Sequence, residues 1–425
     1  MANKFNFKLT DEEKKSLLER FVRYCKINTR SSDTSESFPS TKEQWDLLNL
    51  LKKELEELGL EEIKLDDKGY LFATLPATKG YENSPVIGFL AHVDTYPGTS
   101  AENVSPQIIE NYNGEPIVLD GAGIIIDEDD SPSLSKMVGH TIITTDGKTL
   151  LGADDKAGIA SIMEMVSFFK SHPEIPHGKI RVGFTPDEET GKGTDFFDVK
   201  TFGAEAAYTV DGSLLGEIET ETFCGDSATV EIIGYDIHPG LAKDKMKNAV
   251  RAAADFISRL PKDNLPETTE KRESYLHPIA INGEVGKVIV KFIVRAFNVD
   301  ELKEREKDIR RVAKETENDW KGVSFSVTIE EGYRNMKEVL DQYPKVVELA
   351  KKAVTLSNVE YFEGYIRGGT DGCRLSFMGL PTPNIFNGAL SFHGVKEHIS
   401  LEWLSKSCET LRHLVKLWAD EKSIK

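Results

Sequence analysis

The chain predicts an α/β fold: an open sheet flanked by helices, interrupted by a smaller inserted α+β domain. Three observations carry this. Apolar, strand-like runs at 70–76, 86–94, 179–185 and 206–210 are separated by helical patterns with one apolar face. At 425 residues the chain is longer than one hydrophobic core usually organises. Near Glu217 the pattern changes to alternating, half-buried strands around two helices, and it changes back near residue 333. The boundaries expected are 1–218 and 333–425 for the two segments of the larger domain and 219–332 for the insertion.

Taken in order, Thr10 and Glu13 make a capping box for a helix to about Cys25, and Ser40 with Glu43 makes a second for 45–58, stopped by Gly59. Trp45, Leu47, Leu48, Leu51, Leu55 and Leu58 share one face of that second helix. The run 86–94 is nearly continuous in apolar residues, as a strand covered on both faces would be, and it ends in His92, Val93, Asp94. From 141, strand-like alternation gives way at Gly152 to Asp154 and Asp155, and a helix follows with Ile159, Ile162, Met163, Val166 and Phe169 on one face. The strand 179–185 is broken by Pro186 into Asp187, Glu188 and Glu189. The next strand delivers Asp211.

In the insertion, strands at 217–223 and 226–235 precede a helix at 246–260, an aperiodic polar stretch at 261–274, a strand at 286–297, a helix at 300–317 and a strand at 323–329. This succession reads as a split βαβ arrangement. A helix around 344–354 and a Gly-rich stretch at 365–388 return the chain to the larger domain. His393 then stands ahead of a terminal helix carrying Leu401, Leu404, Leu411, Leu414 and Trp418.

The formal charge of −18 argues against nucleic acid or an anionic membrane as partner. No apolar run approaches the ~20 residues of a membrane span, and the first residues lack the apolar core of a signal peptide. Four cysteines at 25, 224, 373 and 408 show no CxxC spacing, which fits a reducing cytoplasm.

The chemistry is expected where strands stop. Four expected strands each release an acid or a histidine where they stop: His92 with Asp94, Asp154 with Asp155, Glu188 with Glu189, and Asp211. Open α/β sheets bind ligands at that edge, and a divalent cation is the usual reason to gather uncompensated carboxylates. Asp94 and Glu397 lie near His92 and His393 as orienting acids would. His140 has no acid partner in the sequence. His172, His177, His277 and His413 read as structural or solvated. His238, before Pro239, reads from its own surroundings as a turn histidine.

The stretches AHVDT, ITTDGKTLLGADDKAGIA, HGKIRVGFTPDEETGKG, YTVDG, HPG, IRGGTDGCRLSFMGLPTPNIFNG and FHG together resemble the M20 family of dinuclear zinc metallopeptidases over essentially the whole chain. The resemblance implies a catalytic domain with a mixed central sheet flanked by helices, a smaller lid and dimerisation domain, and a homodimer. It implies two zinc ions per subunit, replaceable by cobalt or manganese: one held by His92, Asp154 and Asp211, the other by Asp154, Glu189 and His393, with Asp154 as the bridge. Glu188 would be the general base and acid, Asp94 would orient His92, and His238 would reach a neighbouring subunit's site. Arg295 and Arg367 resemble the family's substrate-binding arginines. Two departures stand out: RAFN at 295–298 where RDFD is common, and VKEH after FHG where KHE is usual. The implied activity is removal of the N-terminal residue of unblocked tripeptides. A dipeptidase or acylamino acid deacylase would use the same chemistry. A two-metal phosphatase or a non-catalytic peptide-binding protein are the readings from other classes.

Overall fold

The structure, a computed structural model, describes residues 5–425. The reading of the amino terminus as leaderless falls in part on residues 1–4, which lie outside the described residues. The chain forms two compact units. The first takes the chain up to Thr220 with Met336–Gly364 and Thr370–Lys425, and the second takes Glu221–Asn335 and Tyr365–Gly369.

The first unit opens with helix α1 (Asp11–Cys25), whose Thr10–Glu13 capping box forms as expected and is worth about 1 kcal/mol. Helix α2 (Gln44–Glu57) follows, but its N-cap is Glu43 and no side chain caps it. Ser40 is committed elsewhere: its N–H and hydroxyl both donate to the buried Asp187 carboxylate.

Strands β1 (Glu61–Leu65), β2 (Leu71–Leu75), β3 (Ile87–His92), β4 (Ile180–Thr185), β5 (Ala206–Gly212) and β6 (Glu217–Thr222) belong to one eight-stranded sheet. Between β3 and β4 runs helix α3 (Ala153–Ser171). After β6 the chain enters the second unit with β7 (Cys224–Ile233), α4 (Ala249–Ser258), β8 (Tyr275–Glu284), β9 (Lys287–Ala296), α5 (Val299–Asp319) and β10 (Ser324–Tyr333). It returns through α6 (Pro344–Leu356), β11 (Phe362–Ile366), β12 (Asn384–Phe386) and α7 (Leu401–Ala419).

The large sheet has the order β1-β2-β4-β3-β5-β12-β6-β11. Its centre, β4-β3-β5-β12, is parallel, whereas β1, β2 and β6 pair antiparallel, so the sheet is mixed. All six residues of β3 are buried. On one face Ile87, Phe89 and Ala91 share a core with side chains of α1, α3, α6 and α7; on the other Leu90 packs with Phe72, Phe202 and Leu375. Burying a side chain the size of Ile87, Phe89 or Leu90 contributes roughly 1.5–3 kcal/mol. Of the four parallel strands, β3, β4 and β5 therefore end together at one edge over a two-sided core.

The run at 142–145 was expected to be a fourth strand of that set. It pairs instead in a separate four-stranded sheet with Pro106–Ile109, Ala389–Leu390 and His398–Ser400. Asp154 reaches the site from the start of α3.

In the second unit the strand order is β8-β9-β7-β10, with every pairing antiparallel. The succession β7-α4-β8-β9-α5-β10 is the split βαβ pattern, and α4 and α5 bury one face of the sheet through Ala252, Phe256, Leu302 and Ile309. The sequence predicts no strand at β8. It is an edge strand carrying Pro278, and its register slips between Pro278 and Ala280, which is where a proline is tolerated in a sheet. Strand β6, expected to open the insertion, pairs with β12 of the large sheet instead. The second unit accordingly begins at Glu221. Among the described residues no helix is long and apolar enough to cross a membrane.

Candidate metal centre

The register of the parallel strands sets the site. His92, the last residue of β3, lies opposite Thr185, the last of β4, and Leu90 lies opposite Thr209, two residues before Asp211. Asp154 enters beside them in the first turn of α3, where its backbone and that of Asp155 depart from helical angles. That turn sits hard against β5: a Cβ at Gly158 would lie 2.2 Å from the Val210 carbonyl oxygen, so only glycine permits the approach.

Asp154 touches both sequence-predicted histidines. Its Oδ1 is 2.8 Å from His92 Nε2 and its Oδ2 is 3.3 Å from His393 Nε2. His92 Nε2 also lies 3.5 Å from Asp211 Oδ1, and His393 Nε2 lies 2.9 Å from Glu189 Oε2. The ligand-type atoms of His92, Asp154 and Glu189 all fall within 4.8 Å of one another, as do those of His92, Asp155 and Asp211. Among the described residues Asp155 makes no ion pair with either histidine; its Oδ1 accepts from Asn387 Nδ2 and from the Gly158 N–H.

The next layer holds these groups in place. Asp94, fully buried, lies 3.3 Å from His92 Nδ1 and also accepts the N–H groups of Glu188 and Glu189, so one carboxylate orients a histidine and a pair of acids together. Glu397, expected beside His393, does something else. Its carboxylate accepts from the N–H groups of Leu151, Gly152 and Asp154, bracing the loop that delivers Asp154. Of the three consecutive acids after Pro186, Asp187 turns inward to Ser40 and Gln44, leaving Glu188 and Glu189 for the site. His140 does have an acid near it: its Nδ1 is 2.9 Å from Ser400 Oγ and 3.9 Å from Glu402.

Charge is badly balanced here. Burial, then the Asp154 charge, pushes the Glu189 carboxyl up to about 8. Burial and Asp154 push Asp211 up to about 6. Glu188 is driven well above the ordinary range by burial and by Asp211, Asp371 and Glu189, against the pull of His92. Burial opposes protonation of His393, yet Asp154 and Glu189 raise it to about 10, and both histidines hold Asp154 low against its own burial. The shifts favour the protonated forms because buried negative charge outweighs positive charge at this edge. Glu189 Oε1 and Asp155 Oδ2 are buried with no hydrogen-bond partner among the described residues. A mixed set of imidazoles and carboxylates with unsatisfied oxygens fits divalent transition metals, whose binding would displace those protons.

The model of peptidase family M20/M25/M40 matches residues 144–417. Peptidase T of Clostridium perfringens (strain 13 / Type A) is 46% identical over 407 residues, covering 96% of this chain and all of the relative. The chain belongs to the M20/M25/M40 peptidase family. Peptidase T of Geobacillus kaustophilus (strain HTA426) is 45% identical over 411 residues, again 96% of this chain and all of the relative. Among solved structures, aminopeptidase PepT from Bacillus cereus ATCC 10987 shares the fold with a TM-score of 0.75 at 23% identity, over 98% of this chain and 100% of that one. The Bacillus subtilis YXEP protein, described as a dinuclear metal binding peptidase from the M20 family, gives a TM-score of 0.66 at 14% identity, over 96% and 99%.

The remaining sequence-predicted residues of this family member lie in the second unit. His238 is exposed and caps the short turn at Pro239–Leu241; its Nδ1 accepts from the Gly240 N–H, which leaves Nε2 as the protonated, donating nitrogen. Arg295 donates to the carbonyls of Asp226 and Val294 and lies over the Tyr333 ring. No carboxylate among the described residues braces it, in keeping with the acids missing from RAFN. Arg367 is more fully engaged, with the Lys271 and Glu273 carbonyls, Thr269 Oγ1, and the rings of Phe223 and Tyr275.

Two further residues stand near the site without a signal in the sequence pattern that marks them as part of it. Asp371, buried and pushed up to about 7 chiefly by burial, accepts from the Thr185 hydroxyl at the end of β4. Tyr96 stacks on His393. A carboxylate in the TDG run at 370–372 was visible in the sequence; nothing there signalled the tyrosine.

Proposed function

We propose that this protein is a metal-dependent aminopeptidase that removes the N-terminal residue of unblocked tripeptides. The observation that carries the reading is the two-sided contact of Asp154, one carboxylate reaching both His92 and His393, each with a further acid at hand. In this reading His92, Asp154 and Asp211 hold one cation, and Asp154, Glu189 and His393 hold the other. Zinc is the expected metal, with cobalt or manganese able to replace it. Bound there, the pair supplies Lewis acidity to the scissile carbonyl and acidifies the attacking water.

The chain's own groups do the rest. Glu188 takes a proton from the water as its oxygen joins the carbonyl carbon, then gives a proton to the departing amine nitrogen as the C–N bond breaks. Asp94 keeps His92 in register and fixes the backbone under Glu188. His238 donates from Nε2 to the carbonyl oxygen of a partner subunit's substrate, which makes a homodimer part of the reading. Arg295 takes the peptide's terminal carboxylate as a bidentate donor; Arg367, with its guanidinium already bonded, serves nearer the scissile bond. The two relatives named Peptidase T support the tripeptide substrate. Four free, buried cysteines support a cytoplasmic setting.

The test is a panel of unblocked di-, tri- and tetrapeptides, with and without chelator. Tripeptides should be cleaved best, releasing the first residue, and chelator should abolish the reaction. Equal cleavage of dipeptides, preference for N-acylated amino acids, or release of phosphate from a phosphoester instead of peptide cleavage would each replace this reading.

A further inference from the structure

Of the five proposed metal ligands, His393 is the least supported by regular structure. His92 and Asp211 sit in strands, Asp154 in the first turn of a long helix, and Glu189 in a short helical turn braced by Asp94. His393 lies in the connection between Ala389–Leu390 and His398–Ser400, with φ at +62° and its side chain 42% exposed, against 2–13% for the other four. A half-exposed imidazole on a loop has rotamers to lose on binding, and that loss weakens a ligand.

Two contacts from the segment following Asp94 meet this deficit. Thr99 Oγ1 donates to the His393 carbonyl oxygen at 2.6 Å, fixing the backbone. The ring of Tyr96 lies parallel to the imidazole, with centroids 4.2 Å apart and planes 3° from coplanar. That geometry restricts rotation about the ring torsion while leaving the imidazole edge, and Nε2, directed at Asp154 and Glu189. The tyrosine face is also the electron-rich side of the ring, and an imidazole that takes up positive charge, from a proton or from a metal, is attracted to it. The chain makes room for the ring at Gly98. A Cβ there would come within 2.4 Å of Tyr96 Cε1 and 2.9 Å of its hydroxyl oxygen, with no other neighbour among the nearest atoms.

We propose that Tyr96 is the positioning residue for His393, holding its imidazole in the plane and orientation in which it completes the cation site shared with Asp154 and Glu189. The inference rests on the metal reading above. It extends that reading to a residue four positions beyond His92, so that one short segment governs both histidines: Asp94 from the side for His92, Tyr96 from the face for His393.

The experiment is calorimetric titration of the metal-free protein with Zn2+. Wild type should take up two equivalents and His393→Ala should lose one of them; if either fails, the ligand reading falls and the Tyr96 inference with it. Given those two results, Tyr96→Ala should weaken one equivalent by about 10-fold or more, as loss of an orienting neighbour does, and leave the other unchanged. Tyr96→Phe, which keeps the ring, should bind both as wild type does. Gly98→Ala keeps the tyrosine but pushes its ring aside and should weaken the same equivalent, a second route should Tyr96→Ala fold poorly. In the metal-free protein the His393 ring-proton resonance should carry an upfield ring-current shift, present in Tyr96→Phe and absent in Tyr96→Ala. Two equivalents bound at wild-type affinity by Tyr96→Ala, or by Gly98→Ala where the alanine variant does not fold, would overturn the proposal.

Discussion

Asp226 of the second unit and Glu189 of the first are both acids withdrawn from water, and the chain treats them in opposite ways. Asp226 lies 2.7 Å from Arg334 and 3.5 Å from Lys303, and although burial pushes its carboxyl up, the Arg334 hydrogen bond and the Gly332 N–H hold it below the ordinary range. Glu189 pairs with His393, feels the His92 charge as well, and still stands at about 8. Its neighbours Glu188, Asp211 and Asp371 are raised as well. The second unit supplies its own counter-charge, and the edge of the large sheet leaves that charge to be brought from outside. Buried acids shifted upward together, with only two imidazoles set against them among the described residues, mark where a ligand completes the structure.

The comparison can be broken at either site. The largest expected effect is on turnover: Glu188→Gln should lower kcat by about 10²–10⁴-fold, the range of a lost general base, while elemental analysis shows the wild-type metal content. A variant that loses metal would make Glu188 a ligand and remove the distinction between it and Glu189. Glu189→Gln should do the reverse, weakening one metal equivalent by more than the roughly 10–100-fold of a lost orienting residue, as read by calorimetry. In the second unit, Arg334→Ala should destabilise by about 2 kcal/mol, the worth of one charged hydrogen bond to a carboxylate that keeps Lys303 and the Gly332 N–H, and should leave metal uptake untouched; a loss of metal there would join the two regions that the comparison separates. Arg295→Ala should lower kcat/KM for free-acid tripeptides by about 10-fold, the worth of a charged hydrogen bond, and have little effect on C-terminally amidated ones. Equal losses on both would dismiss it as the carboxylate anchor.

The smallest effect is a slope. Glu189, Asp211 and Asp371 bind protons more tightly in the metal-free fold, at about 8, 6 and 7, than at their ordinary 4.5, 3.8 and 3.8. The stability they contribute is complete below about pH 4 and is lost as pH rises through 6, 7 and 8; His393, raised from 6.5 to about 10, adds in the same direction above pH 6.5. The melting temperature of metal-free protein should therefore fall from pH 5 to pH 8, and saturating Zn2+ should flatten or reverse the trend. A metal-free protein that gains stability across that range would remove the charge deficit from the argument.

What was legible in the sequence was whatever depends on periodicity and on residue type at an element's end. The apolar runs that became β3, β4 and β5, and the acids and histidine where they stop, are of that kind, and so is the α5 helix with its flanking strands. What was not legible depends on partners far away in the chain. Glu397 looks like an orienting acid for His393 because it is four residues away, but its actual partners are three backbone N–H groups near residue 152, and backbone donors leave no mark in a sequence. Asp187 cannot be told from Glu188 and Glu189 until Ser40 and Gln44 are beside it. The 142–145 run has the composition of a central strand and pairs elsewhere. Pro278 hid an edge strand because a proline argues against a strand everywhere except at an edge.

The central claim, that the carboxyl edge of the parallel strands is completed by two divalent cations, is tested most directly by anomalous diffraction at the zinc edge from crystals of an active preparation. The account predicts two peaks per chain, one within coordination distance of His92, Asp154 and Asp211, the other of Asp154, Glu189 and His393. An active preparation whose crystals show no anomalous peak at these residues, or one that approaches Asp155 in place of Asp154, would contradict it.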